Sequence, residues 1–276
     1  MASLKEVKGR IASVNNTRKI TSAMKMVASA KLHKAQAAIE SMLPYERRLH
    51  HILTDFMSNC TEVTSPFIVK REVKKVAVVV FASNTSLCGG FNANVIRHLV
   101  DLLTEYKPLG LENILVFPVG KKVADAVRKL GCRIEGDFQH MADKPSYQEA
   151  ADLAADLMKR FLHGDVDKVE LLYNHFKSTA SQILTRETYL PIDLNNEKKE
   201  EERTIDYILE PSAEELMQEM LPKVLRMKMF TVLLDSNAAE HAARTMAMQI
   251  ATDNANELLQ ELSLIHISEP TRHAQI

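Results

Sequence analysis

The spacing of apolar residues near the C-terminus predicts one long helix that packs along a partner helix. After Pro222, twelve positions recur about every 3.5 residues, which is the spacing of a coiled-coil seam. They are Val224, Met227, Thr231, Leu234, Ala238, His241, Thr245, Met248, Thr252, Ala255, Leu259 and Leu262. Pro222 itself is expected to kink the helix or to restart it. The small and threonine side chains predict close approach along a seam of moderate apolarity.

A second stripe at the other end of the chain predicts the partner helix. Between residues 3 and 43 only Gly9 weakens a helix, so this stretch predicts a rod of about 60 Å. Its apolar positions are Leu4, Val7, Ile11 and Val14, after which the stripe shifts phase and resumes at Ile20, Met24 and Val27. Pro44 should kink or end the helix, and residues 45–57 could resume it.

Strands and helices alternate between these two terminal helices. The pattern predicts strands near 73–82, 114–117, 133–135, 169–176 and 182–190, with helices at 91–106, from Lys121, and at 147–162. Such alternation predicts a mostly parallel sheet covered on both faces, and the last two strands are close enough to pair as a hairpin.

The predicted fold class is therefore α/β. A Rossmann-like, mostly parallel domain at 73–192 is inserted between terminal helices at 1–58 and 212–269, which form an antiparallel coiled coil. The charged run NNEKKEEER falls within a segment at 193–211 that we expect to be a solvated connection.

Composition adds one local feature to this picture. The net charge is −1, but residues 1–43 carry eight Lys or Arg against Glu6 and Glu40. The three cysteines are far apart, which argues against a zinc site or a disulfide framework. No apolar run approaches the roughly 20 residues that span a bilayer, so any membrane association is expected to go through partners.

The loop after the first predicted strand is where an α/β enzyme would bind a nucleotide. SNTSLCGGFNAN, residues 83–94, has only Gly89 and Gly90 where a dinucleotide site needs GxGxxG. A tight structural turn is favoured, and phosphate binding stays open as the weaker alternative. The sequence also lacks GxSxG, HExxH and a Walker A loop. His241 is expected to be a hydrogen-bonded residue that sets the seam register.

The excess of positive charge on the N-terminal helix indicates a possible binding surface. Lys19, Lys25, Lys31 and Lys34 could neutralise phosphates, but no aromatic residue precedes Tyr45 and no nucleic-acid module surrounds them. A second interpretation is that these lysines form an ordinary solvent-exposed face. An acidic protein partner is favoured, because methionine and alanine side chains make the rest of the surface adaptable and smooth.

Four stretches resemble one known family. They are IASVNNTRKITSAMKMVASAK from Ile11, SLCGGFN from Ser86, DYILEP from Asp206 and EHAARTMAMQIATDNANELLQEL from Glu240. Their order and their place in the predicted fold are similar to those of gamma subunits of bacterial F-type ATP synthases. The resemblance implies a rotor shaft inside a ring of three alpha and three beta subunits. Its foot would sit with epsilon on the c ring.

The resemblance also implies roles for individual residues. Met24 with its neighbours Lys19 and Lys25 matches the surface that faces the moving acidic segment of the beta subunits. Arg244 matches an arginine that contacts beta lower in the shaft.

Two further matched residues, Tyr207 and Glu210, correspond to the foot on the c ring and epsilon. The family loop is usually DRGLCGGLN, and Asn84, Thr85 and Ser86 replace its charged part, so a charged role for the loop is not carried over. The cysteine-pair insertion of chloroplast members is absent from the sequence, so thiol switching is not expected.

The end of the chain departs from the family pattern. After Leu262 it reads SLIHISEPTRHAQI, which also looks like a conceptual translation of sequencing-adapter DNA. Pro270 is expected to end the helix near Glu269. We therefore expect residues 263–276 to be an aberrant tail and the shaft to be short.

Together these observations predict a non-catalytic mechanical coupler without a cofactor or a nucleic-acid partner. It would lie peripherally on the cytoplasmic face of the bacterial inner membrane and transmit proton-driven rotation. The alternatives are a small-molecule-binding α/β enzyme with a helical dimerisation arm and a coiled-coil nucleic-acid adaptor.

Overall fold

The computed structural model describes residues 4–59, 65–192 and 213–273. Two long helices, α1 (Leu4–Asn59) and α6 (Ala213–His273), flank the α/β part of the chain. The strands are β1 (Val76–Phe81), β2 (Ile114–Val119), β3 (Arg133–Ile134), β4 (Lys168–Phe176) and β5 (Gln182–Leu190). The shorter helices are α2 (Phe91–Glu105), α3 (Lys121–Leu130), α4 (Gln139–Asp143) and α5 (Tyr147–His163), with 3-10 turns at Lys107–Leu109 and Leu111–Asn113.

The five strands form one sheet in the order β3-β2-β1-β4-β5. β1 pairs in parallel with β2 and β4, so Val76 lies opposite Ile114 on one side and Lys168 on the other. β4 and β5 pair antiparallel. The mostly parallel sheet and its terminal hairpin are therefore confirmed.

The two faces of the sheet bury different helices. Residues of β1 alternate: Val76, Val78 and Val80 pack with α2 and α3, whereas Ala77 and Val79 pack with α5 and α6. All six residues of β1 are buried, and so are all six of β2. Burial on both faces explains why these strands are continuous apolar runs rather than alternating ones.

α1 and α6 lie side by side in opposite directions. The Thr21 and Thr252 hydroxyl oxygens are 2.9 Å apart and share a hydrogen bond. Further along, Leu32 and Ala35 of α1 form one buried cluster with Ala238 and Ala242 of α6. The antiparallel pairing of the terminal helices is confirmed.

All three prolines lie inside continuous helices. α1 continues through Pro44 and α6 through Pro222, so neither proline ends its helix, and α6 continues past Pro270 to His273, so the end predicted near Glu269 is wrong. A proline removes the donor to the carbonyl four residues earlier. At Pro44 that carbonyl belongs to the exposed Glu40 and at Pro222 to the exposed Gln218, and water can satisfy a carbonyl on such a face.

A buried carboxylate ties the hairpin to α2. Glu170 is 2% exposed and accepts hydrogen bonds from Arg186 Nε at 3.0 Å and the Tyr106 hydroxyl at 2.9 Å. Lys168 Nζ lies 2.6 Å from the same carboxylate. Burial alone would raise the pKa of Glu170, but the bonds from Arg186 and Lys168 outweigh it and lower that pKa. Glu170 therefore stays ionised.

Candidate partner-binding surface

Beyond the α/β domain the two long helices continue as a pair, which we call the upper shaft (residues 4–31 of α1 and 245–264 of α6). The part of the pair that lies beside the α/β domain, residues 32–53 of α1 and 213–244 of α6, is the lower shaft. Arg18 Nη1 donates to Asn256 Oδ1 at 3.3 Å and Nη2 to Asn15 Oδ1 at 3.0 Å. Hydrogen bonds as well as apolar contacts therefore define the register of the upper shaft.

The seam of α1 keeps one phase along the upper shaft, which corrects the sequence prediction. Its inward positions are Val7, Ile11, Val14, Arg18, Thr21, Lys25 and Ala28. Ile20 and Val27, predicted to resume the stripe, are 60% and 59% exposed. The predicted phase shift is wrong because Arg18, Thr21 and Lys25 occupy the seam and conceal its regular spacing.

The outer face of the upper shaft is both basic and apolar. Lys19 is exposed, and Met26 follows it seven residues later with 64% exposure. Ile20 and Val27, which follow Lys19 and Met26 directly in the sequence, are also seven residues apart and exposed. Seven residues are close to two helical turns, so these four side chains share one side of α1.

The other two predicted beta-facing residues lie beside this face. Met24 and Lys25 are half-buried, because both flank the contact with α6. The structure therefore brings Lys19, Met24 and Lys25 into two turns of one helix, with Lys19 the most accessible of the three. Ile20 and Val27 were predicted to lie in the seam and were therefore missed as surface residues. The polar seam residues between them, Thr21 and Lys25, were the available signal.

Arg244 lies at a different place. Its side chain is 12% exposed and is held between α6 and the loop after β1. Nη2 donates to Thr85 Oγ1 at 2.8 Å and to Glu240 Oε1 at 2.6 Å, and Nη1 donates to the Ser86 carbonyl. Arg244 therefore binds the loop rather than projecting outward.

The loop at 83–90 is fixed by further contacts. Asn84 Nδ2 donates to the Gln139 carbonyl at 2.8 Å, and Asn84 Oδ1 accepts the Lys121 amide at 2.8 Å. Leu87 has φ of 68° and is 59% exposed. A leucine in the left-handed region is uncommon and strained, so the surrounding bonds are what keep this tip in place.

The carboxyl edge of the sheet is filled by α6. Cys88 and Phe91 pack against Ala239 and Ala243 of α6, with Phe176 at the end of β4 beside them. In an open α/β sheet a nucleotide binds at this edge, where neighbouring strands diverge in connection order. Side chains of α6 take that position here, which favours the interpretation of the loop as a structural turn.

The same edge is closed on its β2 side by Gly120. A Cβ at this position would lie 2.1 Å from the Ala82 carbonyl oxygen, and φ is +113°. Only glycine fits so close to the end of β1.

His241 lies on the lower shaft between α1 and α6. It is 8% exposed, and within the described ranges Nδ1 has no hydrogen-bond partner, so the expectation of a fully hydrogen-bonded residue is wrong. Burial, aided by Lys31 and Arg244, lowers the pKa of His241 to about 4. The ring is therefore neutral at neutral pH.

The two residues predicted at the foot, Tyr207 and Glu210, lie outside the described residues, as does the whole segment 193–211. Their roles remain predictions. Across residues 4–59, 65–192 and 213–273, no helix combines the length and apolar character needed to cross a bilayer.

Comparison with known sequences defines the class of the protein. The profile of the family described as ATP synthase matches residues 3–276. A relative named ATP synthase gamma chain, from Phocaeicola vulgatus, is 79% identical over 268 residues, covering 96% of this chain and 93% of its own length. The chain of the same name from Bacteroides thetaiotaomicron is 61% identical over 274 residues, with 95% and 92% covered.

Solved structures agree with this fold. The central stalk of the Tetrahymena thermophila mitochondrial ATP synthase aligns with a TM-score of 0.57 at 23% identity, covering 84% of this chain and 99% of that one. The rotor of the Euglena gracilis enzyme aligns with a TM-score of 0.62 at 17% identity, covering 98% of each chain. The class is that of ATP synthase subunits. Within it, the chain belongs to the gamma chain family.

Proposed function

We propose that this chain is the central rotor shaft of an F-type ATP synthase, a non-catalytic coupler between a rotating c ring and an alpha–beta hexamer. The observation that carries the proposal is the antiparallel pairing of α1 with α6, recorded in the contacts Thr21–Thr252 and Arg18–Asn256. A paired rod resists bending better than one helix and presents a different face at each angle. Rotation of such a face can bias each beta site between open and closed states through differential contacts.

The outer face of the upper shaft supports contact with acidic beta segments. Lys19 lies on this face with the exposed apolar residues Ile20 and Val27, and the half-buried Met24 and Lys25 lie beside it at the edge of the contact with α6. Positive charge attracts an acidic partner, while apolar and flexible side chains make no fixed polar bond to it. The surface can then pass successive beta subunits without binding one of them permanently.

Arg244 contributes lower in the shaft. Because its guanidinium is bound to Thr85, Ser86 and Glu240, we assign its effect on beta contacts to the loop that it positions. The exposed Leu87 at the tip of that loop is the accessible group.

The foot of the rotor is assigned to Tyr207 and Glu210, which would face epsilon and the c ring. The subunit would sit peripherally on the cytoplasmic face of the bacterial inner membrane, where proton flow drives the ring. Its partners are alpha, beta, epsilon and c, with no nucleic acid. The filled carboxyl edge of the sheet supports a subunit without its own nucleotide chemistry.

Met24→Lys tests the proposal in the assembled complex. Added positive charge opposite acidic beta loops should tighten the contact, so fewer protons are pumped per ATP hydrolysed while the complex still assembles. The measurement is ATP-driven proton uptake against ATP hydrolysis in membrane vesicles. Ala37→Lys, which places the same charge at an exposed site lower on α1, is the matched control and should leave the ratio unchanged.

An unchanged ratio for Met24→Lys would contradict the assignment of this surface. Failure of the unmodified chain to co-purify with alpha and beta subunits would contradict the rotor assignment itself.

A further inference from the structure

A cavity of about 450 Å³ lies where α1, β4 and α6 meet, and we call it the junction cavity. Ile39 and Glu46 line it from α1, Tyr173 from β4, and Val232 and Asp235 from α6. Small-molecule sites typically measure roughly 300–1,000 Å³ and are largely preformed. None of the residues assigned to the beta contact, Lys19, Met24, Lys25 and Arg244, lines the junction cavity.

The apolar wall of the junction cavity is anchored in the protein core. Val232 is 2% exposed and Tyr173 is 7% exposed, and both belong to the main buried cluster. Ile39 packs against that cluster from α1. Because the buried cluster fixes these side chains, an apolar ligand could bind to the wall with little reorganisation of the protein.

Carboxylates exceed cations around the junction cavity. Glu40, Glu46 and Asp235 line it, against Arg47 and Lys228. Lys228 Nζ is already 2.8 Å from Glu187, a fourth carboxylate just behind the wall.

Two of the lining carboxylates are available to a ligand. Within the described residues, neither Glu40 nor Glu46 has a hydrogen bond or an ion pair. Asp235 is already engaged, since Oδ2 lies 2.6 Å from His175 Nδ1 and Oδ1 accepts the Phe176 amide at 2.8 Å.

The acidic field converges on the Tyr173 hydroxyl. Burial first, then Glu187, Asp235 and Glu46, raise the pKa of Tyr173 well above its usual value. The hydroxyl therefore remains protonated and donates to Glu187 Oε2 at 3.3 Å. Its oxygen can still accept from an ammonium group, which the surrounding carboxylates attract. Within the described ranges no group of three His, Cys, Asp or Glu side chains could hold a metal ion, so the favoured cation is organic.

We propose that the junction cavity binds a small organic amine, with its ammonium group near Glu46 and the Tyr173 hydroxyl and its apolar body against Ile39 and Val232. This site is independent of the rotor assignment, because it depends only on contacts within this chain. A ligand there would bridge both shaft helices and the sheet.

Isothermal titration of the full chain with phenylbutylamine tests the proposal, with phenylbutanol as the neutral compound of the same skeleton. We expect the amine to bind at least about tenfold more tightly than the alcohol. Glu46→Gln should weaken amine binding about tenfold and leave alcohol binding unchanged. Glu257→Gln, an exposed carboxylate of the upper shaft, is the matched control and should change neither affinity.

Equal affinities for amine and alcohol would overturn the proposal. So would an unchanged amine affinity in Glu46→Gln, or no saturable binding up to about 10 mM. Circular dichroism of each variant verifies that both helices remain folded. Because no other subunit is present, failure here leaves the rotor assignment standing.

Discussion

The upper and lower parts of the shaft are built from the same two helices but are stabilised differently. In the lower shaft α6 is enclosed, since Leu225 and Leu233 face the sheet side while Ala238 and Ala242 face α1. In the upper shaft Ile250 and Leu258 of the same helix are 53% and 48% exposed. One helix is therefore a core element at one end and half of a two-helix rod at the other.

The seams differ in the same way. The lower seam brings Ala35 against Ala238 and Ala242, which allows close approach. The upper seam contains Arg18 and Thr21, whose bonds to α6 define the register but bury little apolar surface. Because burial supplies most of the stability, the upper shaft should open at a lower free energy than the lower shaft.

The largest loss of stability should come from shortening a buried side chain in the lower shaft. Leu221 is 0% exposed, and Leu221→Ala should lower the free energy of unfolding by about 3 kcal/mol through lost burial and a residual cavity. Leu258→Ala in the upper shaft is the control and should cost no more than about 0.5 kcal/mol. Urea unfolding followed by circular dichroism measures both. Equal losses would mean that the two parts are equally packed.

Acid should act on the lower shaft through His241. Its pKa in the folded chain is about 4 and about 6.5 when unfolded, so between these values the unfolded state binds more protons. Stability should therefore fall as the pH falls from 6.5 towards 4, by on the order of 2 kcal/mol at pH 4.5. Burial is the main cause, with Lys31 and Arg244 adding to it and Asp143 opposing it.

His241→Gln tests this source of acid sensitivity. In urea unfolding, the variant should no longer lose stability through this group as the pH falls from 6.5 towards 4. His33→Gln, an exposed histidine of α1, should keep this acid sensitivity. If His241→Gln retains the full acid dependence, the buried imidazole is not its source.

The parts of the fold that depend on local patterns could be predicted from the sequence. The α6 seam was found because Ala238, Met248 and Ala255 recur in phase, and all three are buried. The same reasoning failed in α1, because charged and hydroxyl side chains at Arg18 and Thr21 do not register as apolar positions. Periodicity detects an apolar seam and misses one that is joined by hydrogen bonds.

Contacts between distant segments could not be predicted in this way. Glu170 was visible as an acid in an apolar strand, but its partners Tyr106 and Arg186 are brought to it only by the sheet. Arg244 reaches Thr85 across 159 residues. α1 can continue through Pro44 because the carbonyl of Glu40 lies on the side of the helix that faces water. Which side faces water is decided by the packing of the helix. The roles of Lys19, Met24 and Lys25 stay predictions, and Met24→Lys is the experiment that addresses them.

The same substitution in the two parts should change stability in opposite directions. Thr231 Oγ1 in the lower shaft is buried without a hydrogen-bond partner among the described residues, so Thr231→Val should stabilise the chain by about 1 kcal/mol. Thr252 in the upper shaft bonds Thr21, so Thr252→Val should destabilise it by about 1 kcal/mol. Urea unfolding compares the pair, and a loss in both would show that the Thr231 hydroxyl has a partner.

The smallest effect distinguishes the two possible phases of the α1 seam. Val27 is 59% exposed, so Val27→Ala removes little buried surface and replaces a β-branched residue by the best helix former. We expect a gain of about 0.5 kcal/mol in the free energy of unfolding of the isolated chain. Had the stripe resumed at Val27, the same change would leave a gap against α6 and cost stability instead. Ala28, which is 1% exposed, is the matched site, since Ala28→Leu should overpack the seam and cost about 2 kcal/mol. A loss at position 27 together with tolerance at position 28 would reverse the register and turn Ile20 and Val27 inward.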